Sequence, residues 1–322
     1  MRAALYETTG PAREVLKVTE VERPEPGPGE VRVRVRFSGV NPTDVKSRSG
    51  ATPRPIDRFQ IPDQDGSGVI DAVGAGVDTA RVGQHVWIWF AAAGRKWGTA
   101  AEWTVVPERQ AVPLPDGVDL ELGAQLGVPA MTAHRCLFAD GRVHGKAVLV
   151  AGGAGAVGHF AIELAKRDGA RVAATVSSAE KAELARKAGA DLVVNYREAD
   201  VAERMRPFAE RVDRVVEVAL AANLQTDLAL SGPETVVSVY AASTDPELPV
   251  RACMAANVTL RFILLYNVPA AALDQAVADI TEALRAGSLT PLPVHTFSLD
   301  EIVAAHEAVE KGVSGKVLVS FA

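Results

Sequence analysis

The chain has 322 residues, with 34 Lys and Arg against 40 Asp and Glu for a net charge of −6, and is 48% apolar and 23% charged. At roughly 150 residues per domain this length predicts two domains, each able to bury its own core. The composition excludes long disorder, and the acidic balance without any Lys/Arg cluster argues against nucleic-acid or anionic-membrane partners.

Charge at Glu7 interrupts the amino terminus before an apolar stretch reaches the seven or so residues of a secretory core. Val86–Phe90 and Phe262–Tyr266 are far shorter than the roughly 20 residues of a membrane span. A cytoplasmic chain is therefore expected. Cys136 and Cys253 are the only cysteines, too few for a disulfide framework or a four-Cys zinc site, and are read as small packed hydrophobes.

The first 120 residues read as β-rich. In Glu30–Phe37, Val31, Val33, Val35 and Phe37 alternate with Arg32, Arg34 and Arg36, which predicts a half-buried strand with a solvated arginine face. Pro24, Pro26, Pro28 and their glycines mark the loop before it, and Gly66, Gly68, Gly74, Gly76 and Gly83 punctuate further short strands, as in a barrel-like β domain.

From about Leu126 strands alternate with helices, the rhythm of a parallel sheet covered on both faces. Strands are predicted at 146–150, 171–176, 191–194, 212–218, 235–240 and 258–264, and helices over 156–168, 179–188 and 197–209. Six strands complete a doubly wound sheet. An amphipathic helix carrying Leu273, Ala276, Val277, Ile280 and Leu284 follows, then a final apolar strand at Lys316–Phe321. The predicted division is a β domain at 1–126 completed by the tail 267–322, and a nucleotide-binding domain at 127–266, with the active site in the crevice between them.

Val148–Gly158 contains Gly-x-Gly-x-x-Gly as Gly153, Ala154, Gly155, Ala156, Val157 and Gly158. The first glycine permits the tight turn, the second lets the backbone approach a pyrophosphate, and the third allows close helix packing. The free amides of the following helix and its dipole then favour phosphate. An apolar strand before the loop and an amphipathic helix after it make dinucleotide binding the expected role. An NAD enzyme would carry Asp or Glu about 20 residues further on, at the end of the second strand. Here that end reads Ala173-Ala-Thr-Val-Ser-Ser178, followed by Lys181, which favours NADPH through hydroxyls and a positive charge. Tyr196, in Asn195-Tyr196-Arg197, supplies a further wall.

These motifs carry a specific resemblance. Ser38-Gly-Val-Asn-Pro-Thr-Asp44, Gly66-Ser-Gly-Val-Ile-Asp-Ala-Val-Gly74, Val128-Pro-Ala-Met-Thr-Ala-His134, the glycine loop, Asn195–Glu198 and Gly315-Lys-Val-Leu318 resemble, over essentially the whole length, the zinc-free quinone oxidoreductase (zeta-crystallin-like) group of medium-chain dehydrogenase/reductases. The resemblance implies an α/β fold class: a GroES-like β-barrel domain plus a Rossmann doubly wound parallel sheet. It places Asn41, buttressed by Asp44, and Thr132 beside the nicotinamide. Val157, Ser177, Ser178, Lys181 and Tyr196 would hold the phosphates, and Asn223, Val239, Tyr240, Ala241, Phe262, Ile263 and Leu264 the rest of the cofactor groove. In zinc-dependent relatives the catalytic ligands fall near Asn41, Gln64 and Val128, an amide, an amide and an alkyl group here, so no metal is expected. The six histidines show no paired ligand spacing.

Two positions depart from the family pattern. Lys46 and His134 stand where members often have Tyr near the substrate or nicotinamide, so a more polar acceptor is an open alternative. His134 is a candidate proton donor, making Asn41, Thr132 and His134 the candidate catalytic set. Trp87, Trp89, Phe90 and Trp97 either stack on a flat acceptor or form an aromatic core.

The expected activity is NADPH-dependent hydride transfer to quinones. The alternatives are reduction of enones, 2-alkenals or enoyl thioesters, and a non-catalytic NADPH-binding protein. The apolar Asn257–Leu265 segment reads as an edge strand covered by a second copy, hence a homodimer.

Overall fold

The computed structural model describes every residue except Ala199, Ser243 and Ala322. The chain divides into two compact units, Met1–Val128 with Pro291–Ala322, and Pro129–Thr290. The return to the first unit therefore comes at Pro291, and the amphipathic helix Ala270–Arg285 belongs to the second unit, whereas the predicted tail began at 267. Leu273, Ala276, Ile280 and Leu284 on that helix are buried, as the spacing required.

The first unit is built on a seven-stranded sheet. Its central strand, Glu30–Val40, pairs antiparallel with Asp65–Val73, with Trp103–Pro107 and with the carboxy-terminal Lys316–Ser320. Val31, Val33 and Val35 are buried as the alternation predicts. The arginine face is not uniformly wet, however. Arg34 is exposed, but Arg32 is buried because its guanidinium donates to Asp71 Oδ1 at 2.8 Å and to Glu25 Oε1 at 2.6 Å. Trp87 and Trp89 are completely buried and Phe90 nearly so, which makes them core rather than a stacking surface, while Trp97 packs edge-on against Phe59.

The second unit holds a six-stranded parallel sheet. Numbered within it, the strands are β1 (Ala147–Val150), β2 (Arg171–Val176), β3 (Leu192–Asn195), β4 (Val212–Glu217), β5 (Ser231–Val239) and β6 (Thr259–Phe262). Their spatial order is β3-β2-β1-β4-β5-β6, the doubly wound arrangement, whose chain reversal beside β1 opens a crevice at the strands' carboxyl ends. The helix predicted over 197–209 is shorter: Asp200 caps Val201–Met205 by accepting from Glu203 N at 2.9 Å, and Ala199 lies outside the described residues. Cys136 is buried and Cys253 only half-buried.

Glu217, at the end of β4, shapes the following loop by accepting from Ala219 N and from Asn223 Nδ2 at 3.0 Å. It is fully buried, as is Asp227, the second carboxyl of an interacting pair. Burial raises both pKa values, and the Glu217 charge and hydrogen bond help push Asp227 up to about 8. The folded pair thus keeps a proton that the unfolded chain releases above pH ~4. Its contribution to stability falls as pH rises from there to about 8. Asp227→Asn keeps the hydrogen bond and removes the second charge. Its melting temperature should match the parent at pH 5 and exceed it by about 2 °C or more at pH 8.5, with parallel profiles for the two proteins as the contrary result.

Candidate active site

The glycine loop lies between β1 and the helix Ala156–Arg167. The left-handed residue of the turn is Gly152, at φ +71°, one position before the predicted Gly153. Gly153 is required for a different reason: a Cβ there would come within 2.7 Å of Ala174 Cβ on β2. Gly158 lets the helix close on the loop, since a Cβ would meet Gly152 O at 2.3 Å. Gly155, the helix N-cap, faces space, its nearest would-be neighbour being Gly152 O at 3.4 Å. First-turn amides have no intrahelical acceptor and this first turn carries no acidic residue, so the cradle fits a pyrophosphate.

Ser177 follows β2 and is half-buried. Ser178 caps the helix Ala179–Lys187, its Oγ accepting from Lys181 N at 3.3 Å, so that oxygen is already engaged. Lys181 is half-buried and Glu180 exposed. Tyr196 N donates to Val176 O at 3.0 Å, which brings the exposed Tyr196 side chain beside the end of β2. The phosphate-side candidates therefore share one rim.

A pocket of about 590 Å³ opens at the carboxyl ends of β4, β5 and β6. It gathers Val239, Tyr240, Ala241, Phe262, Ile263 and Leu264, with Arg135, which had not been singled out. Asn223 does not line it; its amide is spent on Glu217. Thr132 and His134 are both buried on the helix Leu120–Phe138. His134 Nε2 lies 2.8 Å from Asp279 Oδ2 and its ring packs on Phe138. Burial lowers its pKa although Asp279 opposes that shift.

In the first unit Asn41 precedes the helix Pro42–Ser49, its backbone N–H donating to Asp44 Oδ2 at 2.8 Å. Its side chain is held at both ends. Nδ2 donates to Asp65 Oδ2 at 2.7 Å and Oδ1 accepts from Lys316 Nζ at 2.6 Å. Asp65 also accepts from Val128 N at 2.9 Å. Asp65 thus joins Asn41 and the backbone of Val128, and Lys316 closes the other end of the Asn41 amide. Zinc does not fit here: Val128 offers only an alkyl side chain and the Asn41 oxygen is occupied by Lys316. Among the described residues no group of three or more His, Cys, Asp or Glu could hold a metal ion. Lys46, on the same short helix, is exposed.

Residues 27–116 match the model of the alcohol dehydrogenase GroES-like domain, and residues 156–282 that of the zinc-binding dehydrogenases. The quinone oxidoreductase of Rattus norvegicus is 30% identical over 99% of this chain and 97% of its own. The chain belongs to the quinone oxidoreductase family of medium-chain dehydrogenase/reductases. It is an NAD(P)-dependent oxidoreductase with a GroES-like domain and a Rossmann-like sheet. Among solved structures, an NAD-dependent alcohol dehydrogenase is similar at 28% identity and TM-score 0.91, covering 100% of both chains. A mycobacterial protein complexed with NADPH is similar at 28% identity and TM-score 0.86, again over 100% of both. A protein described as NAD-dependent and one complexed with NADPH thus share this fold.

The glycine geometry separates binding from folding. Gly155→Ala should leave the melting temperature within about 2 °C of the parent while weakening NADPH binding at least about tenfold, because its Cβ enters the phosphate cradle. Gly158→Ala should lower both. Unchanged binding in a folded Gly155→Ala protein would remove the loop from the cofactor site.

Proposed function

We propose that this protein is an NADPH-dependent quinone reductase that transfers hydride without a metal. The observation that carries the reading is the amide, amide and alkyl set at Asn41, Gln64 and Val128, on a chain similar end to end to quinone oxidoreductases. With no Lewis acid to polarise an alcohol or ketone, the acceptor must already be electron-poor. Quinones meet that requirement, since hydride addition yields an aromatic phenolate. When bound, NADPH supplies the hydride. The protein's contribution is alignment and exclusion of water.

In this reading the Gly153–Gly158 loop cradles the pyrophosphate, and Ser177, Ser178, Lys181 and Tyr196 receive the adenosine phosphate. The absence of a carboxylate at the end of β2 supports NADPH over NADH. Val239–Ala241 and Phe262–Leu264 enclose the nicotinamide-side pocket. Asn41 and Thr132 orient the nicotinamide and its ribose. His134, buried against Asp279, serves to hold its helix, and solvent supplies the proton to the reduced acceptor. The exposed Lys46 favours acceptors with polar or anionic groups.

The active species is a homodimer built on the edge strand β6. Phe262 on it is 70% exposed, Leu264 just after it 59%, and Met254 on the preceding helix 73%. Such an apolar edge is unfavourable in water unless paired. Sedimentation should give about 68 kDa, twice the 33.9 kDa chain, and a monomer would end this part of the reading.

Cofactor oxidation, followed by absorbance with benzoquinone, phenanthrenequinone and cyclohexenone in parallel and with or without EDTA, tests the activity. EDTA-insensitive turnover of the quinones is expected. Turnover of the enone alone would assign a double-bond reductase instead, and NADPH binding without turnover a non-catalytic protein. Lys181→Glu should raise the KM for NADPH by about tenfold or more and leave that for NADH within about threefold, the loss expected for a charge-assisted phosphate contact.

A further inference from the structure

Lys316 lies on the last strand of the first unit and is 3% exposed. A buried ammonium is costly unless its charge and its protons are matched. Asp44, Asp63 and Asp65, all buried, favour its charged form, while burial pulls its pKa down. Burial in turn pushes Asp65 up to about 6 and Asp44 well above the usual carboxylate range. His306, 3.3 Å from Asp63, closes the far side of this cluster.

Charge matching alone does not explain the geometry. The hydrogen bond that the ammonium makes at 2.6 Å goes to the neutral amide oxygen of Asn41. The other end of that amide is pinned to Asp65, itself held by Val128 N, and Gly127 is required there because a Cβ would lie 2.0 Å from Asp65 Oδ1. Only one orientation of the amide satisfies an ammonium donor on one side and a carboxylate acceptor on the other. The chain of contacts fixes both the rotamer and the flip state of Asn41.

We propose that Lys316 is a positioning residue for Asn41: its buried ammonium locks the Asn41 amide in the orientation that aligns the nicotinamide for hydride transfer. The proposal rests on the reading that Asn41 contacts the nicotinamide and its ribose. Lys316 touches neither cofactor nor acceptor. Its effect therefore falls on the chemical step, and cofactor affinity, which draws on the separate phosphate rim, changes little.

The test is a double-mutant cycle on the full-length protein with NADPH and benzoquinone, using Asn41→Ala, Lys316→Met and their combination, with melting temperatures measured alongside. Lys316→Met should lower kcat by about 10- to 100-fold, the scale of a misaligned reacting pair, with the KM for NADPH within about threefold of the parent. In the Asn41→Ala background the same change should have no further effect on kcat. Lys316→Gln, which keeps a donor toward Asn41 Oδ1, should recover at least about a third of the parent kcat and serves as the decisive variant if Lys316→Met does not fold. Full activity of Lys316→Met or a fully inactive but folded Lys316→Gln, with Asn41→Ala impaired, would overturn the proposal alone. An equal loss from Lys316→Met in both backgrounds would do the same, by showing independent action. If Asn41→Ala retains parental kinetics, the reading of Asn41 at the nicotinamide fails, and the positioning role with it.

Discussion

Burying a positive charge next to three carboxyls constrains much of the first unit. Lys316, Asp44, Asp63 and Asp65 sit where water cannot screen them, so each must find a partner within the protein. Asp44, in the first turn of the helix Pro42–Ser49, accepts from the N–H of its N-cap Asn41, Ser38 Oγ donates to Asp63, and Asp65 reaches the backbone of the helix Leu120–Phe138. Strand, short helix and long helix are thereby tied to one polar knot.

The second unit obeys a different constraint. A parallel sheet covered on both faces leaves its polar opportunities at the carboxyl ends of its strands, and this sheet uses them in two ways. At β1 and β2 the glycine turn, the helix start and the serine-lysine rim present backbone amides and positive charge, suited to phosphate. At β4 to β6 the pocket walls are mainly apolar, and the buried Glu217 braces the loop that forms one side. The glycine turn and the apolar pocket thus lie at the same, carboxyl-terminal edge of one sheet.

Membership in the family settles the class of chemistry and leaves the acceptor to local features, since one fold serves many substrates. Lys46 and His134, the departures from the family pattern, have separate fates: one side chain is exposed and the other is buried against a carboxylate.

The sequence by itself determined the order of elements in the second unit, the position of the glycine loop, the missing carboxylate after β2 and the amide, amide and alkyl side chains at Asn41, Gln64 and Val128. These depend on hydrophobic period, turn chemistry and residue type, which act over a few neighbours. It also predicted the buried alternation in Glu30–Phe37 but not the burial of Arg32, whose partners are Glu25 in the preceding loop and Asp71 on the neighbouring strand Asp65–Val73. The left-handed turn at Gly152, the short helix at Val201–Met205 and the return at Pro291 were likewise decided in three dimensions. Neighbouring glycines are equivalent until β2 and the helix press on them, and chain boundaries follow packing. Above all, nothing local marks Lys316 as a partner of Asn41, 275 residues away. A buried charge is recognised by what folding brings to it, and only the tertiary structure assembles that set.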